Sequence, residues 1–133
     1  TMTKVPRFVA RVLDQSLGGY RMAWDSADQA RAKVGELVGL NFGCAFVRPD
    51  GVKNPDTGAE VLIRHLDHLL EKLGESGVAL GSDFDGTMIP NFLQDASGLP
   101  KLVQAMRDAG YGDALVRRIC WDNWMGVLAR VIG

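Results

Sequence analysis

The chain has 133 residues, 47% of them hydrophobic and 23% charged, with 15 Lys and Arg against 16 Asp and Glu. That length suits one domain, and the apolar share is ample for a core, which excludes a disordered tail. The formal net charge of −1 leaves no basic surplus to neutralise phosphates, which argues against nucleic-acid binding.

The first quarter is helical in pattern. Residues 7–15 place Phe8, Val9, Val12 and Leu13 on one helical face, and Gly18-Gly19 breaks it. Asp25 or Ser26 can cap a second short helix across residues 27–34. The opening Thr1-Met2-Thr3-Lys4 is not a signal peptide, and a start at Thr1 is expected of a processed or cloned piece. No apolar run approaches the roughly 18 residues that cross a bilayer, so a transmembrane segment is not expected and a cytoplasmic location is favoured.

Residues 37–47 are almost continuously apolar, as strands covered on both faces of a parallel sheet are. Residues 48–58 carry Pro49, Asp50, Gly51, Asn54, Pro55 and Gly58, which is loop chemistry. From Ala59 to Leu73 the period turns helical: Val61, Leu62, Leu66, Leu69, Leu70 and Leu73 share one stripe, and Gly74 is a stop. Residues 77–86 read as a short buried strand running into a polar turn. Strand, loop, helix and strand make a βαβ unit with a right-handed parallel crossover.

A long loop with Pro90 and Asn91 follows. Ser97 is expected to cap the next helix, with Pro100 in its first turn, Leu102, Val103 and Met106 on its apolar face, and Gly110 at its end. One last helical region spans about residues 112–132. Cys44 and Cys120 lie far apart in apolar surroundings and are expected to be buried free thiols.

The sharpest chemical signal is Gly81-Ser82-Asp83-Phe84-Asp85-Gly86, at the carboxyl end of an expected parallel strand. That edge is where ligands and catalytic groups collect in α/β folds. Asp83 and Asp85 project to the same face only if the strand continues, and diverge if it turns at Phe84. They can ligate a divalent metal or move a proton, or they can simply cap the turn. The pair His65 and His68 has helical zinc spacing, but His65 falls inside the apolar stripe and two ligands make an incomplete site. A packed, hydrogen-bonded His65 and a surface His68 are therefore expected. Trp121 and Trp124 are expected to serve core or interface packing.

Several segments together resemble the C-terminal part of the membrane dipeptidase (renal dipeptidase) family of zinc peptidases. They are Leu40-Asn41-Phe42, Ala45-Phe46-Val47, His65-Leu66-Asp67-His68, Val78 through Gly86, Leu99-Pro100-Lys101-Leu102, Ala109-Gly110-Tyr111 and Asp122-Asn123-Trp124. The resemblance covers roughly residues 34–132, and residues 1–33 form a helical lead-in of unclear match that shows no recognisable Ser-His segment of the family. It implies a (β/α)8 TIM barrel that hydrolyses dipeptides with two zinc ions and a bridging hydroxide. The strand near 37–42 then corresponds to the seventh barrel strand and that near 78–83 to the eighth. Asp83 matches the family's catalytic aspartate, which handles the proton as hydroxide attacks the scissile carbonyl. Asp85 is given a turn-shaping role, and no substrate-binding residue is assigned.

The departures from the family pattern are specific. Its metal ligands are a His-x-Asp pair, a bridging Glu and two further histidines, all upstream of the matched region, and no metal ligand is assigned in this chain. His65 and His68, its two histidines, match the helix motif instead. Gly126 stands where the family usually carries an arginine. A barrel takes about 250 residues, so this chain is expected to supply an α/β partial barrel of closing strands and helices, inactive as an isolated piece. Open strand edges and uncovered apolar helix faces predict a homodimer or larger assembly. The alternative is a non-catalytic α/β interaction module that self-associates through Trp121, Trp124 and neighbouring apolar residues.

Overall fold

The structure, a computed structural model, describes residues 37–132. The helices expected at 7–15 and 27–34 lie outside the described residues.

Strand β1 (Val38–Asn41) pairs in parallel with β2 (Val78–Ser82). Val38 lies opposite Val78, Gly39 opposite Ala79 and Leu40 opposite Leu80, with an irregularity before Asn41 meets Ser82. The apolar run 37–47 is therefore not one strand. It breaks after Asn41 and re-forms as a single helical turn, α1 (Cys44–Val47). The Asn41 side chain causes the break locally: its Oδ1 accepts the Gly43 backbone N–H at 2.7 Å, a turn that competes with strand pairing. A short apolar run does not by itself separate strand from buried helix, which is why the sequence reads as continuous strand here.

Helix α2 (Ala59–Leu73) has the bounds its leucine spacing predicts. Leu62, Leu66 and Leu69 are fully buried and join Val38, Leu40 and Val78 in the core. Each such side chain contributes about 1.5–3 kcal/mol by leaving water. The helix stops at Gly74, whose φ of 78° is readily adopted only by glycine. The chain then crosses into β2, completing the expected parallel unit.

Ser97 does not cap the next helix. Asp95 takes that role one turn earlier: its Oδ1 accepts the Ser97 N–H at 2.8 Å and opens a 3₁₀ turn (Ala96–Gly98). That turn leads into α3 (Leu99–Asp108), with Pro100 in its first turn and Leu102 and Met106 buried. The aspartate wins because its charged oxygen accepts both the N–H and the hydroxyl of Ser97.

The last helical region is segmented into α4 (Asp113–Arg117), a π-helical turn (Arg118–Asp122) and α5 (Asn123–Ile132). Asn123 Nδ2 donates to the Glu75 and Val78 carbonyls at 2.7 and 2.8 Å. Trp124 Nε1 donates to the Leu80 carbonyl at 2.9 Å. Successive carbonyls of a strand alternate in direction, and the Gly77 carbonyl, just before β2, faces β1 and accepts the Val38 N–H. The Val78 and Leu80 carbonyls therefore lie along the edge of β2 away from β1, and α5 covers them. Cys44 is buried as expected, whereas Cys120 is only half-buried.

Candidate active site

Both strands end at the same edge of the sheet, and the loops leaving them meet there. The Cys44 N–H donates to the Met88 carbonyl and the Asn91 N–H to the Pro55 carbonyl, each at 2.9 Å. This is the edge at which parallel α/β sheets place ligands.

After Ser82 the strand cannot continue. Ser82, Asp83 and Asp85 have φ of 60°, 74° and 64°, in the left-handed region that costs about 1–3 kcal/mol for a residue with a Cβ. The Gly86 N–H closes the turn on the Asp83 carbonyl at 3.1 Å. Between the two aspartates, Phe84 packs edge-on against buried Phe42, with ring centroids 5.5 Å apart. That aromatic anchor pulls the turn into the core and holds the strained backbone in place. Conformations of this kind persist where packing over-determines them, and they cluster at functional sites.

The turn gives the two carboxylates different surroundings. Asp83 is half-buried, and its Oδ2 accepts from Asn41 Nδ2 at 3.0 Å. A Cβ at Gly86 would meet Asp83 Oδ1, so a side chain there would displace the carboxylate from its observed place. Asp85 is exposed, and its side chain makes no hydrogen bond or ion pair among the described residues. Neither side chain caps a backbone N–H among the described residues, so the turn rests on its backbone bond and on Phe84. Asn41 is the site residue that residue patterning missed. Its one local signal was a polar side chain at the end of an apolar strand, two residues before a glycine.

His65 is buried at 4% exposure, as expected, and its Nε2–H donates to the Val47 carbonyl at 2.7 Å. A carbonyl only accepts, which fixes the proton on Nε2. Burial pushes the imidazole down to about 4, leaving it neutral at pH 7. His68 was expected at the surface but is buried, because the packed face of α2 is broad enough to take it beside Leu69. Its pKa is lowered, first by burial and then by Lys72. Among the described residues no group of three or more His, Cys, Asp or Glu side chains could hold a metal ion. No helix among them is long and apolar enough to cross a membrane. Trp121 and Trp124 are exposed at 57% and 40%, which places them on the surface and not in the core.

A small parallel sheet flanked by helices, with Asp83 on a left-handed turn at its carboxyl edge, gives the described residues an α/β fold. The family model for membrane dipeptidases, peptidase family M19, matches residues 25–132, and the chain belongs to that family. A protein from Klebsiella pneumoniae, described as an uncharacterized protein in the pqqA 5′ region, is 45% identical over 97 residues, covering 73% of this chain and 36% of that protein. A metallo peptidase from Rhodobacter sphaeroides, solved with a phosphinate mimic of the dipeptide L-Ala-D-Ala, is 47% identical with a TM-score of 0.73, over 78% of this chain and 29% of that one. The dipeptidase AC, a metallo peptidase of family M19, is also 47% identical with a TM-score of 0.73, over 77% of this chain and 31% of that one. The chain thus spans about a third of the length of these relatives.

Proposed function

We propose that this chain is the C-terminal part of a metal-dependent dipeptidase and that Asp83 is its proton-handling group. On this reading residues 34–133 form the closing strands and helices of a (β/α)8 barrel, and residues 1–33 lead into it. The observation that carries the assignment is the placement of Asp83. It stands on a strained turn at the carboxyl edge of a parallel sheet, with one oxygen fixed by Asn41.

The chemistry asked of Asp83 is a two-step proton transfer. Water adds through its oxygen to the carbonyl carbon of the peptide bond, and the Asp83 carboxylate accepts the proton it sheds. The same carboxyl then gives that proton to the peptide nitrogen as the C–N bond breaks, releasing a carboxylic acid, which keeps the second water proton, and an amine. Proton transfer by a placed side chain is worth about 10²–10⁴ in rate.

The family is metal-dependent, and two zinc ions are proposed for the complete enzyme. The described residues do not fit them: no group of three or more His, Cys, Asp or Glu side chains among those residues could hold a metal ion. No step is therefore assigned to metal in this chain. The ligands are proposed to lie in the part of the family fold that it does not span, and the chain by itself is proposed to be inactive.

The direct test is Asp83→Asn in a metal-loaded enzyme that carries this segment with the rest of the family fold. We expect kcat for dipeptide hydrolysis to fall by about 10²-fold or more, with far-UV circular dichroism unchanged. Hydrolysis within about twofold of the parent would reject the assignment.

One observation favours a second reading. Trp121, Trp124, Met125, Leu128 and Ile132 are all exposed and recur at helical spacing through the π turn and α5. A face of that kind suits self-association, as a homodimer or larger assembly, whether the segment is catalytic or a non-catalytic module.

A further inference from the structure

We propose that Asn41 is a positioning residue for Asp83, one that aims the carboxylate at the reacting groups. This rests on the reading of Asp83 given above. Asn41 ends β1 and Asp83 follows the end of β2, 42 residues apart in sequence.

The amide of Asn41 can sit in only one way. The Gly43 N–H is a donor, so the atom facing it at 2.7 Å must be Oδ1. That leaves Nδ2 directed at Asp83 Oδ2, at 3.0 Å. A side chain held at both ends has little freedom, and an N–H donor to a carboxylate is among the stronger hydrogen bonds. One oxygen is thus tied to the fold, and Oδ1 receives no protein donor among the described residues. Oδ1 is the oxygen that takes and returns the proton.

Asn41 differs from a structural cross-link in what an exchange of the two residues does. Asn41→Asp keeps the shape and the acceptor for Gly43 but replaces the donor with a second carboxylate facing Asp83. The double exchange Asn41→Asp with Asp83→Asn restores a donor–acceptor pair with the same atoms, and moves the charge to the other strand end. In the 133-residue chain, we expect Asn41→Asp to lower the thermal midpoint near pH 7 and the double exchange to recover most of it. In the metal-loaded full-length enzyme carrying this segment, we expect Asn41→Asp to lower kcat by about 10–100-fold with KM within about threefold. The double exchange should remain as inactive as Asp83→Asn.

The outcomes separate. If Asp83→Asn retains kcat, or the parent enzyme hydrolyses no dipeptide, the reading of Asp83 fails and Asn41 has nothing to position. If Asp83→Asn is inactive but Asn41→Asp retains kcat, the positioning role alone is overturned. A double exchange that regains activity would make Asn41 a mere cross-link, and would also overturn it.

Discussion

The hydroxyl of Tyr111 donates to Asp67 Oδ1 at 2.5 Å, joining the turn after α3 to helix α2. Tyr111 is 9% exposed, so its ring seals the core while its hydroxyl reaches the rim. Tyr111→Phe should cost about 1 kcal/mol in urea unfolding, the net worth of one such bond. Burial, and then Asp67, raise the hydroxyl above its ordinary 10.0. The folded chain therefore holds that proton more tightly than the unfolded one. This contribution should be fully present below pH 10 and lost above it, and the alkaline fall should be smaller in Tyr111→Phe, where the Cys120 thiol, also raised by burial, still contributes in the same sense.

His65 gives the opposite sign at acid pH. Burial holds its pKa at about 4, against 6.5 when unfolded. Between these values the unfolded chain binds the extra proton, so stability rises with pH there. It is present above pH 6.5 and lost as the pH falls toward 4. We expect a loss of about 2 kcal/mol between pH 7 and 4.5, read from urea midpoints. His65→Met should remove most of that slope whatever it does to stability at pH 7, leaving among the described residues the smaller contributions of His68, Asp50 and Asp95 in the same sense.

Asn123 fastens α5 to two carbonyls at the start of β2. Asn123→Ala removes both bonds and should destabilise the chain by about 1–3 kcal/mol. Trp124→Phe keeps the ring but loses the bond to Leu80 and should cost about 1 kcal/mol. Hydrogen exchange should accelerate first in β2 and α5 in both variants.

The exposed apolar face over Trp121, Met125, Leu128 and Ile132 predicts self-association. Light scattering at tens of micromolar should give a mass above that of one chain, and Leu128→Glu should reduce it. A monomer at those concentrations would count against the self-association proposal.

Much of this architecture was legible before the structure, and the exceptions have physical causes. Helix α2 was read to the residue because an apolar stripe between Gly58 and Gly74 admits one period. Asp83 was placed at a strand end because the apolar run Val78-Ala79-Leu80 gives way abruptly to polar residues. The split of residues 37–47 was not legible, since strand and buried helix share composition and the deciding contact is an Asn41 side-chain bond. Nor was the role of Asn41, whose partner is 42 residues away. The burial of His68 is not legible in the sequence, because wheel position marks a flank but not how far the neighbouring layer reaches over it. The π turn at Arg118–Asp122 carries no glycine or proline to announce it.

The division of labour proposed here, Asp83 in this chain and the zinc ligands elsewhere in the family fold, is open to one decisive measurement. The purified 133-residue chain is incubated with excess zinc, dialysed, and measured for bound zinc per chain and for hydrolysis of a dipeptide panel. We expect no stoichiometric zinc and no hydrolysis above the buffer rate. Two tightly held zinc ions together with dipeptide turnover that Asp83→Asn abolishes would contradict the division outright.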